Sequence, residues 1–322
     1  MKGFATRSSY LGWLGRAIAP VGQGPSRRVP ATTDGRDLVL GYATGYGRAQ
    51  VEAFVRSLRA VYPGDIALFI SPDPALQTFL GEHRIEVRIV TDDGRWAPSA
   101  VVARFAAYAT ELASRPGVGD VLLTDVRDVI FQGAPFAQRS GTLEVFVEDE
   151  QHRLTDHQFQ IKYLKALVGE VMTDAVRSSP SVCAGVILGP AAEVGRLCRL
   201  MLTLGAIPRS SVGGVFGIDQ ASLNVAVHYG LIDATIRDNF GRVATIGMSC
   251  EGLSASDGLI LNPDGGVSPI VHQYDRHPDL MAQVRARWGT DTPDRVDVGG
   301  RNLSRLWNRL RTSALRRLPE LR

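Results

Sequence analysis

Val121-Leu-Leu-Thr-Asp125-Val-Arg-Asp128-Val-Ile-Phe-Gln132 is the stretch from which the rest of the chain is read. It begins as a short apolar run, the pattern of a buried strand, and two carboxylates stand where that strand ends. In an open α/β sheet, ligands bind outside the carboxyl ends of the strands. Two acids flanking Arg127 make poor core and no obvious turn. They suit a divalent cation held against a diphosphate, because Mg²⁺ and Mn²⁺ favour oxygen ligands from one or two carboxylates together with substrate phosphates. A solvated loop with a local Asp–Arg pair accounts for the same residues, and the segment alone leaves both readings open.

Outward from this stretch, strands and helices alternate. Residues 38–42 and 66–70 read as strands around a helix at 49–60, and Ser71-Pro-Asp-Pro74 ends the second strand. A short helix, a strand at 85–90 and a helix at 99–114 lead to the strand at 121–124. This alternation predicts βαβ units and a mainly parallel sheet covered on both faces. The second half predicts strands at 143–147 and 182–188, and helices at 160–176, 191–204 and 219–228. Short strands follow at 234–236, 243–247, 259–261 and 270–272. The expected class is α/β, with a mixed, mainly parallel sheet flanked by helices.

Composition narrows the function. The chain has 322 residues, 44% of them hydrophobic, enough for one large or two modest globular domains. No apolar run approaches the ~20 residues of a membrane span. Residues 1–35 are rich in Gly, Pro, Ser and Arg and read as a flexible lead-in; Arg16 interrupts their apolar patch, which argues against a secretory signal. Cys183, Cys198 and Cys250 share no metal-like or disulfide-like spacing, so a reducing, cytoplasmic setting is expected. The net charge of +3 is mild and its arginines are spread out, without a nucleic-acid-binding module. Residues 281–322 form a basic, helical C-terminal segment. Within it, residues 301–318 carry an apolar stripe at helical spacing, which suits peripheral contact with an anionic membrane face or docking onto the domain.

Two nucleotide signatures are missing. Gly45-Tyr-Gly47-Arg-Ala-Gln50 falls short of a dinucleotide fingerprint at Gln50, and there is no Walker-type Gly-Lys-Ser/Thr loop. Three other segments carry candidate chemistry. Asp219-Gln220-Ala-Ser-Leu-Asn224 opens a helix after the Gly-rich stretch 213–217, and Asp219 alone could be an ordinary N-cap. His272 ends an apolar strand before Gln-Tyr-Asp275-Arg276-His277, as a structural imidazole or a third metal ligand. Cys183-Ala184-Gly185-Val186 puts a glycine inside a strand, a sign of close approach by another group.

In their order along the chain, these segments resemble the GT-A class of nucleotide-sugar glycosyltransferases, most closely family 8 and its relatives. The resemblance covers residues 37–278. Asp125–Asp128 stands for the family's Asp-x-Asp, with one residue more between the acids. Cys183 stands for the Asn of Asn-Ala-Gly-Val, and Ala221 for the second Asp of Asp-Gln-Asp-x-Leu-Asn. The resemblance implies a GT-A domain over residues 36–280, with a nucleotide-binding half at 36–132 and an acceptor half at 133–280. It implies Mn²⁺ or Mg²⁺ on Asp125, Asp128 and His272, and a nucleotide-sugar donor, most often a UDP-sugar, framed by Ala43, Thr44, Tyr46 and Asp92. Arg104 or Arg276 would contact the diphosphate; a surface helix position serves equally for Arg104. Asp219 and Gln220 would lie at the sugar, which passes to a glycan or other acceptor with retention. Asp156, His157 and the acidic stretch 148–153 line the acceptor side or form a solvated loop. Two alternatives are a catalytically degenerate GT-A fold that binds carbohydrate or acts as a scaffold, and a sugar-1-phosphate nucleotidyltransferase.

Overall fold

Strand β1 (Arg36–Ala43) is central, with Leu38, Val39 and Leu40 buried on both faces, as its uninterrupted apolar run requires. The structure, a computed structural model, describes residues 36–91, 99–206, 216–248 and 251–289. The chain divides into two units, Met1–Thr290 and Asp291–Arg322, and the second lies wholly outside the described residues. So do the lead-in 1–35, Asp92, positions 213–215, Cys250 and the amphipathic stretch 301–318.

The alternation predicted for the first half is present. β1 is followed by α1 (Arg48–Val61), β2 (Asp65–Ile70), α2 (Pro74–Glu82), β3 (Glu86–Ile89), α3 (Ala100–Ala113) and β4 (Val118–Thr124). Gln50, the residue that spoils the dinucleotide fingerprint, reaches back to the Gly47 N–H at 2.9 Å and closes the first turn of α1. Asp73 caps α2 by accepting from the Leu76 N–H at 3.0 Å, with Pro74 at the first helical position.

The second half contains β5 (Val129–Phe131), β6 (Leu143–Val147), α4 (Gln158–Val168), α5 (Glu170–Val176), β7 (Val182–Pro190), α6 (Ala191–Gly205) and α7 (Ile218–His228). After these come β8 (Ala234–Arg237), β9 (Val243–Thr245), β10 (Ser254–Ser256), β11 (Leu259–Leu261), β12 (Ile270–His272) and α8 (Pro278–Trp288). The helix expected over 160–176 is two helices, because Gly169 (φ 81°) ends α4 and lets the chain turn into α5. Helix α8 runs across position 280 and buries Val284 in a cluster with Ile246, Ile260 and Tyr274.

The main sheet has the order β3-β2-β1-β4-β7-β6-β8. β3, β2, β1 and β4 are mutually parallel, β7 runs antiparallel to both β4 and β6, and β8 is parallel to β6. Helices flank it on both faces, giving a mostly parallel α/β fold compatible with the Rossmann-like class. Phe105, Tyr108, Leu197 and Met201 pack on one face, and Phe54, Leu58, Phe79 and Leu80 on the other. Each fully buried Leu or Phe contributes about 1.5–3 kcal/mol relative to exposure.

Two irregularities shape the sheet's carboxyl edge. Between β6 and β7 the register passes from Val145↔Ile187 to Phe146↔Cys183, so Ala184, Gly185 and Val186 bulge out of the ladder. Val129–Phe131 does not continue β4. It forms β5 of a separate three-stranded sheet, β5-β12-β9, so the acidic stretch bridges two sheets. No helix among the described residues is long and apolar enough to cross a membrane.

Candidate metal centre

Asp125 is the first residue beyond β4, and its N–H donates to the carbonyl of Gly185 at 2.7 Å. The β7 bulge supplies that carbonyl, and it also turns the Ala184 carbonyl toward Arg104 of α3, whose Nη2 donates to it at 3.0 Å. Asp128 opens β5. Because β5 pairs antiparallel with β12, Val129 lies opposite His272, and the Gln273 N–H donates to the Asp128 carbonyl at 2.7 Å. Residues far apart in sequence are thus brought together by backbone pairing.

One ligand atom from each of Asp125, Asp128 and His272 lies within 4.8 Å of the others. His272 is 1% exposed, and its Nε2 is buried without a hydrogen-bond partner. That nitrogen stands 3.6 Å from Asp125 Oδ2, beyond hydrogen-bond length. On the other side of the ring, Nδ1 lies 3.8 Å from Cys183 Sγ. Gly185 is glycine for a steric reason. A Cβ there would lie 2.5 Å from His272 Nε2 and 3.0 Å from Asp125 Oδ2. Gln273 takes a left-handed conformation (φ 67°), and Gly247 makes room for its side chain, since a Cβ at 247 would lie 2.8 Å from Gln273 Cδ.

Arg104 is a buried hub and not a surface helix residue. It is 7% exposed, its Nη1 donates to Asp125 Oδ1, and its Nη2 donates to Asp219 Oδ2 at 2.9 Å. The planar fork suits two acceptors at once. Burial would raise the Asp125 carboxyl, but Arg104 and His272 more than offset it and hold it at about 2. Burial prevails at Asp128 and Asp219, whose carboxyls are raised. At His272 burial acts downward, and Cys183, Asp125 and Asp128 reverse it, so the imidazole is held well above its ordinary value.

The Asp-Gln motif divides its roles along α7. Asp219 holds Arg104, while Asn224 clamps the Val182 backbone, accepting from its N–H at 3.0 Å and donating to its carbonyl at 2.9 Å. Ala221 is fully buried in the central apolar cluster, so the residue standing for the family's second acid is core. Gln220 is half-buried; its Nε2 donates to Glu148 Oε2 at 2.5 Å, and Cys183 Sγ lies 3.9 Å from its Oε1.

Ala43 is fully buried, while Thr44 and Tyr46 are half-buried in the β1 turn, which the Tyr46 N–H closes on the Ala43 carbonyl at 3.2 Å. Tyr46 neighbours Arg127, which pairs with Asp275 at 2.9 Å. Arg276 is exposed and stands beside Gly247 and Gln273, not within the Arg104 cluster. Asp156 accepts from the Arg153 N–H at 2.8 Å, stiffening its own turn. Glu148 and Asp149 are buried, unlike the solvated loop that their sequence suggests. Glu148 follows the apolar run of β6 just as Asp125 follows that of β4, so a strand-end acid was the signal that could have singled it out.

Two carboxylates and one imidazole make a mixed oxygen–nitrogen donor set that suits a divalent cation such as Mn²⁺ or Mg²⁺. The orphaned His272 Nε2, buried and within reach of both acids, fits that role. No protein-family model matches this sequence, and no curated protein does either.

Proposed function

We propose that this chain is a metal-dependent glycosyltransferase of the GT-A kind, moving a sugar from a nucleotide-sugar donor, a UDP-sugar by preference, to a hydroxyl-bearing acceptor such as a glycan, with retention. The observation that carries this reading is the Asp125–Asp128–His272 cluster at the carboxyl end of a parallel strand, with His272 Nε2 buried and unpartnered.

In the reaction, the bond from the anomeric carbon to the diphosphate oxygen breaks and the nucleoside diphosphate leaves with the electron pair. The acceptor oxygen bonds to that carbon, and its proton passes to the departing diphosphate. Asp125, Asp128 and His272 would hold the cation, which when bound supplies Lewis-acid stabilisation of the charge growing on the leaving group. Arg104 fixes Asp125 and Asp219 together, so that both carboxylates keep one geometry through the reaction. Thr44 and Tyr46 border the nucleoside side, and Asp219 and Gln220 the sugar side.

The test is thermal unfolding of the protein with a panel of nucleotide sugars, with and without Mn²⁺, coupled to product analysis. A metal-dependent shift with one donor, nucleoside diphosphate release, and loss of both in Asp128→Ala are expected. Pyrophosphate release would move the assignment to a sugar-1-phosphate nucleotidyltransferase. No shift with any donor would leave a carbohydrate-binding protein on a transferase-like fold.

A further inference from the structure

Glu148 is 6% exposed, and among the described residues no Lys or Arg pairs with it. Backbone pairing carries it to the edge of the centre, because its N–H continues the β6–β7 ladder by donating to the Ser181 carbonyl at 2.8 Å. Among the described residues, two side chains donate to the carboxylate. Oε2 accepts from Gln220 Nε2 at 2.5 Å and from Ser181 Oγ at 3.2 Å. An ionised carboxylate can only accept, and a buried one without donors is costly. The NH₂ of Gln220 must therefore face Glu148. Reversing the amide would set its carbonyl against a carboxylate oxygen and remove the shortest donor. The Gln220 carbonyl is then committed to the opposite side, toward Cys183, whose sulfur in turn touches the His272 ring.

We propose that Glu148 is a positioning residue for the transfer reaction, orienting the Gln220 amide so that its oxygen, and not its NH₂, faces the Cys183–His272 side where the donor sugar would lie. This rests on the transferase reading of the same centre. An oxygen there accepts from a sugar hydroxyl and favours positive charge developing at the anomeric carbon; an NH₂ does neither.

The test compares wild type, Glu148→Gln and the reciprocal double variant Glu148→Gln/Gln220→Glu, using the donor found in the panel above. An amide at position 148 can either donate or accept, so the single variant frees the Gln220 amide to turn. In the double variant the amide at 148 donates to the carboxylate at 220, and an oxygen again faces Cys183. The expected result is a kcat at least about tenfold lower in the single variant, with donor KM and the Mn²⁺-dependent thermal shift little changed, and substantial recovery of kcat in the double variant. Wild-type kcat in Glu148→Gln overturns the proposal alone, and so does a double variant no better than the single one. A wild-type protein that turns over no donor overturns the transferase reading, and this proposal with it. The retained thermal shift separates lost orientation from lost folding.

Discussion

His272 Nε2 and Asp125 Oδ2 face each other at 3.6 Å, and the space beside them is one that a single methyl group at residue 185 would fill. A gap of this length between a carboxylate and a buried imidazole is too long for a hydrogen bond and open enough for a cation.

The first prediction concerns that space. Gly185→Ala should abolish the Mn²⁺-dependent thermal shift and lower stability by about 1–3 kcal/mol, the usual penalty for overpacking. Calorimetric titration of Mn²⁺ into the folded variant measures the first effect and denaturant unfolding the second. Wild-type metal affinity in Gly185→Ala would show that the cation does not bind between these residues.

Cation binding should be coupled to proton release. The carboxylates around His272 hold its imidazole above its ordinary value, so Mn²⁺ is expected to displace a proton from it, and affinity should fall as pH is lowered through that raised value. The same shift has a stability sign. Without metal, the protonated imidazole contributes stability that is complete below its unfolded value of about 6.5 and is lost as pH rises through the higher folded value. Titrations in two buffers of different ionisation enthalpy count the protons released, and a count of zero would contradict the assignment.

Removing the hub should cost far more than removing a surface charge. Arg104→Met strands Asp219 in the interior without a cationic partner, an effect of about 3–5 kcal/mol for a broken buried pair. Arg104→Lys keeps the charge but not the fork, so it should retain most of the stability while weakening donor-dependent turnover. Chemical denaturation of both variants decides this; two equally mild losses would mean that Arg104 is not holding the carboxylates.

A fourth prediction lies away from the centre, on the helix that carries Arg104. Glu111 accepts from Arg88 Nε and Nη2, both at 2.9 Å, and from Arg115 Nε at 2.5 Å. Burial raises its carboxyl, but the hydrogen bonds from Arg88 and Arg115 prevail and lower it. Its contribution is therefore complete above the unfolded value of about 4.3 and is lost as pH falls through the lower folded value. Glu111→Gln should reduce stability at neutral pH and flatten the decline on the acid side. Melting temperatures between neutral and strongly acid pH test this, and an unchanged acid slope would refute it.

Much of the architecture was legible because it rests on local pattern. The first four strands and their helices follow from apolar runs and capping residues such as Asp73. Gly169 was visible as a residue but not as a break, since a single glycine within a helical pattern is tolerated elsewhere, as Gly195 is within α6. Asp125, Asp128 and His272 were legible as strand-end groups, and their meeting was not, because it depends on β5 leaving the main sheet to pair with β12. Arg104 read equally well as a surface residue, since nothing local reveals that a helix face meets carboxylates from β4 and α7. Glu148 stands among neighbouring charges, and its place at the end of the β6 apolar run was the one local sign of it; its burial and its hydrogen bonds to Gln220 and Ser181 set it apart from exposed Glu150.

The separation of β4 from β5 has a mechanical consequence. Asp125 ends a strand of the large sheet, whereas Asp128 and His272 belong to the rim of the small one. A cation gripped by all three would rivet the two sheets together at their seam. Local opening there would then be suppressed as long as the ion stays, because any ligand that bridges two elements must be released before they part. Amide protons of β9 and β12 should thus exchange more slowly when the centre is loaded, turning a binding event at one rim into stiffness across the whole small sheet.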